Sequence, residues 1–362
     1  MSTNILFGNT TAYLHGDERV KALVKDYLTF RPEGFQFTAA YKRKRWDGFK
    51  TLYQPTRGAF PAGLTWDIAE LLRGAGEEVF LVDERIRPKP HPALEGLELQ
   101  GKLMPHQTEA VLRVEARSRG VVHHPVGAGK SVVIVEAARR LAVPTLVLVQ
   151  RKELLTQQYR QFVELLGSPR FVGRIGDGLW EPRLFTVATI QTLSKRFKDL
   201  THLQEVKEFL EQWECVMIDE CHHLPAASYS MLLHNLPNAY YRIGLSATPH
   251  RSGKKEQELY VTGLTGPIIS AYDSTEGIDM GRLVPADVFL TDPGPYVLPK
   301  GAGSYADEVA YGIVENERRN ELIVKAAMAF GQQGSTLILT ERIEHGKNLR
   351  RMFLGLDNRE VD

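Results

Sequence analysis

The segment His124-Pro125-Val126-Gly127-Ala128-Gly129-Lys130-Ser131 constrains this chain more than any other. It lies between an apolar run, VVHH from Val121 to His124, and the helical pattern SVVIVEAARRL that starts at Ser131. Glycines at 127 and 129 let the backbone curl so that successive N–H groups face one anion. A helix that follows adds its positive N-terminal end. Such a loop works where a strand delivers the chain and a helix carries it away, so its surroundings must form a βα unit. Lys130 is then placed to reach the β- and γ-phosphates of a nucleotide, and the Ser131 hydroxyl to ligate Mg²⁺. The strict phosphate-loop formula carries glycine where His124 stands, so the match is to the shorter GxGK[ST] form. A chance glycine-rich turn is the alternative, and the strand before and helix after weigh against it.

The flanking pattern agrees. From about residue 97 to 278, short apolar runs alternate with helical stretches: Val121–His124, Thr145–Val149, Leu184–Ala188, Cys215–Asp219 and Arg242–Ser246. Continuous Val, Ile and Leu runs of this length suit parallel strands covered on both faces. Residues 1–96 read differently, as a small mixed α+β domain. Apolar and polar residues alternate over Phe35–Tyr41 and Phe49–Pro55, and a helix is predicted from Thr65 to a glycine stop. Arg87–Gly96 holds three prolines and reads as a linker. From 279 onward the pattern gives a helix with apolar Val309, Ile313, Leu322, Ala326 and Phe330. A strand over Thr336–Thr340 and a helix through Arg350 and Arg351 follow. That is about one and a half βα units, too few to close a sheet. With 362 residues, 43% of them hydrophobic, the chain can bury at least two cores.

The second half of a nucleotide site is expected about ninety residues after the loop, where the run Cys215–Ile218 ends in Asp219 and Glu220. Carboxylates at a strand's C-terminal end point into the crevice that a phosphate loop occupies. Asp219 is placed to hold Mg²⁺ through a water, and Glu220 to orient and deprotonate an attacking water. Two adjacent acids at a strand end are also what a solvated turn carries. His123 with His124, and His222 with His223, lack the spacing of a structural zinc site.

Net charge is +1, so affinity for a polyanion must come from local patches. One such patch is Tyr41–Lys50, with five basic residues against one acid and three aromatics interleaved. Lys42, Arg43, Lys44 and Arg45 could neutralise phosphates while Trp46 stacks on a base. A solvated hairpin with Trp46 in its core is the plainer reading. No apolar run reaches the ~18 residues of a membrane span, and the N-terminus lacks the charged and apolar regions of a signal peptide. The two cysteines, Cys215 and Cys221, are poorly arranged for a disulfide. A reduced cytosol, bacterial or that of a phage-infected host, is the expected compartment.

Taken together, these segments resemble the motif series of superfamily 2 helicases. Gln107 in KLMPHQTEAV matches the glutamine that reads the adenine edge, GAGKS is motif I, and Asp219-Glu220-Cys221-His222 is a DExH form of motif II. The resemblance therefore places Gln107, Gly127, Ala128, Gly129, Lys130, Ser131 and His222 around ATP. Gln150-Arg151-Lys152 resembles motif Ia and Thr189-Ile190-Gln191-Thr192 motif Ib. Ser246-Ala247-Thr248 resembles motif III, which couples nucleotide to nucleic acid, and Thr340–Gly346 resembles motif IV. Gln150, Arg151, Lys152, Thr189 and Gln191 would thus touch sugar and phosphate.

The chain resembles the UvsW helicases of phages and, more distantly, XPB and RadD-like DNA helicases. The aromatic-rich N-terminal stretch with its Trp46-Asp47-Gly48 turn strengthens the first choice. The resemblance implies an α/β fold with a RecA-like lobe over 97–278, preceded by an α+β DNA-binding domain over 1–96. A partial second RecA-like lobe over 279–362 would follow. It implies ATP and Mg²⁺ as cofactors and single-stranded, forked or duplex DNA as partner, in replication, recombination or repair. The backbone contacts do not separate DNA from RNA.

A motif VI of the form QxxGRxxR and a motif V are not found from Asp279 onward. The arginines there are Arg282, Arg318, Arg319, Arg342, Arg350, Arg351 and Arg359. An arginine finger is worth roughly 10³–10⁵ in rate. These 362 residues are therefore expected to bind ATP and DNA but turn over poorly, with the rest of the second lobe on a longer frame or a partner chain. Two rival readings stand beside the motor. One is a DNA-binding scaffold that keeps the nucleotide as a switch, and the other is the motor subunit of a restriction or defence complex.

Overall fold

A computed structural model of the chain describes residues 2–199, 202–250, 253–279, 281, 284–299 and 301–357. It divides into two compact units, Met1–Val284 and Pro285–Asp362.

The first unit holds two larger sheets. Strands β1 (Thr3–Phe7) and β2 (Thr11–His15) form a hairpin, and alternation buries Ile5, Phe7, Ala12 and Leu14 on one face. Helix α1 (Glu18–Tyr27) starts where the Asp17 carboxylate accepts the Val20 N–H, and packs through Val20 and Val24. A two-stranded ladder, β3 (Thr29–Phe30) with β4 (Lys50–Thr51), brackets a segment that contains α2 (Ala39–Lys42). Then come β5 (Ala59–Pro61), α3 (Thr65–Gly74) and β6 (Val79–Asp83), which complete the sheet order β5-β2-β1-β6.

The alternation read over Phe35–Tyr41 does not become a strand. Phe35–Phe37 is a 3₁₀ turn entered through Gly34 at φ +70°, and Thr38 caps α2 by accepting the Tyr41 N–H. The Phe35 and Tyr41 rings meet edge to face, so local packing and capping override the period-2 pattern. Of Phe49–Pro55, only Lys50–Thr51 is a strand.

The second sheet is built from α4 (Pro105–Arg117), β7 (Arg119–His123), α5 (Lys130–Leu141), β8 (Thr145–Val149), α6 (Lys152–Leu166), β9 (Val172–Gly176) and β10 (Leu179–Glu181). It continues with β11 (Phe185–Thr189), α7 (Ile190–Lys198), α8 (Leu203–Glu211), β12 (Cys215–Asp219), α9 (Ala227–His234) and β13 (Tyr241–Ser246). Finally come α10 (Lys255–Leu264), β14 (Ile268–Ala271) and α11 (Ser274–Asp279). The strand order is β10-β9-β11-β8-β12-β13-β7-β14, and every pairing except β9–β10 is parallel. Every residue of β8, β11 and β13 is buried, as a sheet covered on both faces requires. Cys215 and Cys221 are buried free thiols, and burial pushes the Cys215 thiol up to about 12.

The proline-rich segment before α4 is packed on this sheet. Leu94 is buried in its core, and the His91 N–H donates to the Ala142 carbonyl at 2.6 Å. The small sheet is seated on the large one just as closely. Arg119 donates to the Asn9 carbonyl at 2.7 Å, Asn9 donates to the Pro237 carbonyl, and Lys254 pairs with Glu33 at 2.7 Å. At Gly63 the two backbones touch: a Cβ there would lie 1.9 Å from the Thr262 carbonyl oxygen.

The second unit, described by itself, carries α12 (Tyr305–Val309), a π turn (Ala310–Val314), α13 (Glu317–Gly331) and α14 (Ile343–Asp357). The single helix expected through Val309 and Phe330 is thus broken, because the Asn316 side chain accepts the Arg319 N–H and starts α13 afresh. Thr336–Thr340, expected as a strand, is not one. Leu337 and Leu339 are more than four-fifths exposed, and among the described residues of this unit no strand offers a ladder partner. Arg282 and Arg359 lie outside the described residues.

Gly63→Ala must force the turn after β5 away from α10 and should destabilise the chain by about 2–4 kcal/mol. Gly74→Ala, where nothing lies within 4 Å, should stabilise it by up to about 1 kcal/mol. Urea titration of both variants checks the contrast. Equal stability of Gly63→Ala and the parent would mean that this turn and α10 are not in backbone contact.

Candidate active site

Register sets the site. In β7–β13 pairing His123 lies opposite Ser246, and in β13–β12 pairing Leu245 lies opposite Asp219. The loop that leaves β7 at His124 and the acids that end β12 therefore open from one edge, separated by a single strand. Two strand spacings are about 10 Å, the reach of one triphosphate with its cation.

Within the loop, Gly127 and Gly129 adopt φ +84° and +77°. Gly129 is required twice over, because a Cβ there would also lie 2.3 Å from Gln107 Nε2. Lys130 Nζ donates to the His124 and Pro125 carbonyls, each at 3.2 Å, so the ammonium lies folded against its own loop. Gln158, a buried residue on α6, donates to the Ser131 carbonyl at 3.4 Å and steadies the start of α5.

Burial and the adjacent Glu220 push the Asp219 carboxyl up to about 6, while the Lys130 ammonium pulls it down. Lys130 thus acts on Asp219 across the crevice. A buried carboxylate with a second one next to it suits a divalent cation, and Ser131 supplies a hydroxyl at the start of α5. These residues fit a magnesium-bound triphosphate.

Glu220 takes φ +50°, ψ +53°, a left-handed conformation that turns the chain into the 3₁₀ turn Cys221–His223. Its Oε2 accepts from Ser246 Oγ at 3.3 Å and lies 3.2 Å from His222 Nδ1. His222 Nδ1 is also 3.0 Å from Ser246 Oγ, which accepts the Thr248 N–H at 3.1 Å. With Nδ1 protonated, every donor in this cluster has an acceptor. His222, grouped with the nucleotide ligands on sequence, is here a bridge between Glu220 and the Ser246-Ala247-Thr248 turn. Gly244 lets that bridge close, since a Cβ there would lie 2.9 Å from the Cys221 side chain.

Gln107 is buried and occupied. Its Oε1 accepts the Met104 N–H at 2.9 Å, and its Nε2 donates to the Ala128 carbonyl at 3.2 Å. It therefore braces the loop from behind. Thr189 is also buried, with its hydroxyl bonded to Thr192 at 2.8 Å, whereas Gln191, Arg151 and Lys152 are exposed. Gln150 is half-buried at the same edge, after β8.

Lys42, Arg43, Lys44 and Arg45 are all exposed, and among the described residues none of the four is in an ion pair. Trp46 is half-buried, its Nε1 donating to the Phe49 carbonyl at 2.7 Å. It lines an open groove of about 830 Å³ with Gln36, Tyr41, Lys42, Lys44 and Arg45. No spacing pattern pointed to the residues behind the loop. His106 and His124 are buried there with Tyr272, and His123 Nε2 lies 3.1 Å from the Ala247 carbonyl. These are single side chains on separate elements that only tertiary packing gathers.

The family described as "Type III restriction enzyme, res subunit" matches residues 100–251, the stretch that carries the loop, the acids and the Ser246 turn. The ATP-dependent DNA helicase UvsW of Enterobacteria phage T4 is 25% identical over 351 residues, covering 90% of this chain and 67% of the phage protein. A crystal structure of T4 UvsW superposes with a TM-score of 0.63 at 21% identity, over 98% of this chain and 73% of that one. The chain is similar to UvsW and shares its fold. A putative DNA 3'-5' helicase, Rad25 of Halobacterium salinarum, is 35% identical over 184 residues, 49% of this chain and 28% of the archaeal protein. Among the described residues, no helix is long and apolar enough to cross a membrane.

The raised Asp219 carboxyl has a consequence for stability. Its ordinary value is 3.8, so between about 6 and 3.8 the folded chain holds a proton that the unfolded chain releases. The group therefore weighs against folding at neutral pH, by about 2–3 kcal/mol, and this penalty fades as pH falls through 6. Asp219→Asn should accordingly make the ligand-free chain more stable by about 2 kcal/mol near pH 8, with little gain near pH 4. Urea titrations across that range test it, and a variant less stable than the parent at pH 8 would contradict the electrostatics.

Proposed function

We propose that the chain carries the nucleotide-binding and strand-gripping parts of an ATP-driven DNA helicase or translocase that remodels branched or duplex DNA. The observation that carries this reading is the single crevice into which β7, β13 and β12 deliver Lys130, the Ser246 turn and the Asp219-Glu220 pair.

In this reading the Lys130 ammonium leaves its loop carbonyls and neutralises the β- and γ-phosphates, while loop N–H groups hold the rest of the triphosphate. Ser131 and Asp219 would hold magnesium, which supplies charge neutralisation when bound. Glu220 orients the attacking water and receives its proton. Its carboxylate is bonded to Ser246 and His222, so a change at Glu220 moves the Ser246-Ala247-Thr248 turn, and a change in that turn moves Glu220. Gln150 and Arg151 follow β8, Lys152 opens α6 and Gln191 lies in the first turn of α7, all at the same edge of the sheet and suited to sugar and phosphate. Thr189 would contribute through its backbone, since Thr192 engages its hydroxyl. The Lys42–Arg45 groove is an auxiliary DNA surface that the half-buried Trp46 lines.

Single-turnover hydrolysis of ATP by excess chain, with forked DNA present, tests the catalytic reading. Hydrolysis should be measurable in the parent and fall at least about 100-fold in Glu220→Gln, which should keep its ATP affinity. Retained ATP binding with no hydrolysis in the parent would favour a nucleotide-switched scaffold. Changing Lys42, Arg43, Lys44 and Arg45 together to alanine should weaken DNA binding and reduce its salt slope by about 1 for each phosphate left without its cation. An unchanged slope would remove that groove from the DNA path.

A further inference from the structure

We propose that His106 is a positioning residue for the phosphate site: its Nε2–H pins the Ala128 carbonyl and so aims the Gly129 N–H at the phosphate. This rests on the reading that the loop binds a triphosphate. In a trans peptide the carbonyl of one residue and the N–H of the next point in opposite directions. Whatever holds the Ala128 oxygen therefore also sets the direction of the Gly129 hydrogen. Two donors hold that oxygen, His106 Nε2 at 2.9 Å and Gln107 Nε2 at 3.2 Å. They stand side by side on the first turn of α4, behind the loop. If the peptide flipped, its N–H would face two donors and its carbonyl oxygen would face the phosphate, unfavourable on both sides. The close approach of the Gln107 amide also takes the space that a side chain at residue 129 would need.

The His106 ring is itself fixed. It stacks on Tyr272 with centroids 4.1 Å apart and planes within 5°, and the His124 ring meets it edge-on at 5.5 Å. Both neighbours are buried, and His124 is further tied to Ser270 Oγ at 3.2 Å. Tyr272 is anchored by its own N–H to the His123 carbonyl at the end of β7. A carbonyl can only accept, so Nε2 must carry the ring proton. Nδ1 is then the bare nitrogen, and among the described residues it has no hydrogen-bond partner. The tautomer is thus dictated by the loop it serves. The motif series that fits this chain includes Gln107 but not His106, so this role comes from packing alone.

The test measures binding of a fluorescent ATP analogue with Mg²⁺ to the chain, beside its affinity for forked DNA. His106→Phe keeps a ring on Tyr272 but has no donor, and should weaken nucleotide binding about tenfold, the loss of one hydrogen bond to a buried carbonyl. His106→Gln restores a terminal N–H and should bind within about threefold of the parent. Both variants should keep the parent's DNA affinity, which a general loss of structure would lower. Parent-like nucleotide binding by His106→Phe, or equal weakness of the two variants, overturns the proposal. Nitrogen-15 histidine spectra of the parent give a readout independent of any variant's folding. His106 must appear as the Nε2–H tautomer, and the Nδ1–H tautomer would overturn the assignment. A parent that binds no nucleotide, like Lys130→Ala, would instead sink the ATP reading.

Discussion

The side-by-side register of three parallel strands is the constraint from which the rest of the site follows. Opposition of His123 to Ser246 and of Leu245 to Asp219 brings three strand ends level at one edge of the sheet. A one-residue slip would turn each terminal side chain to the other face, and the loop, the Ser246 turn and the acids would no longer share a crevice. The strands hold register because they are buried on both faces, where any slip moves apolar side chains out of their packing. Hydrophobic burial thus fixes a polar geometry that the polar groups could not fix themselves.

Those polar groups oppose burial in the free chain. Asp219 and Glu220 repel each other in a poorly solvated corner, and Lys130 offsets that only in part. His124 is driven the other way: burial lowers its imidazole to about 4, so it stays neutral beneath the loop at physiological pH. One side of the loop is kept uncharged while the other is left wanting a cation. The imbalance is local, and two rigid attachments surround it. Behind the loop, the stacked His106, Tyr272 and His124 rings hold the backbone. Beyond the Ser246 turn, α10 meets the turn after β5 backbone to backbone at Gly63, and Lys254 just before α10 pairs with Glu33 at the surface. The N-terminal sheet is therefore mechanically continuous with the helix that follows the coupling turn.

Much of this was legible in the sequence, for identifiable reasons. Strands buried on both faces write themselves as unbroken apolar runs, so β7, β8, β11, β12 and β13 were each found within a residue or two. The loop was legible because few residue types can occupy its left-handed positions. The failures came where tertiary contact outweighs local pattern. Phe35–Tyr41 alternates like a strand, yet Gly34, the Thr38 cap and the Phe35–Tyr41 ring contact make it helical. Thr336–Thr340 has the composition of a strand but no ladder to join among the described residues. The motif places Gln107 at a base edge, and no local pattern foretells that its amide also engages Met104 and Ala128. His106 and Tyr272 carry no signal at all, being far apart in the chain and joined only by the fold.

The account turns on one triphosphate and one cation bridging the loop and the acids, so the most direct measurement is the structure of the chain with Mg²⁺ and a non-hydrolysable ATP analogue. It should show the cation about 2.0–2.1 Å from Ser131 Oγ and bonded to Asp219 directly or through one water, with Lys130 Nζ moved from the His124 and Pro125 carbonyls onto the phosphates. A cation that left Asp219 and Glu220 untouched, or a nucleotide seated elsewhere with Lys130 still on its own loop, would contradict it.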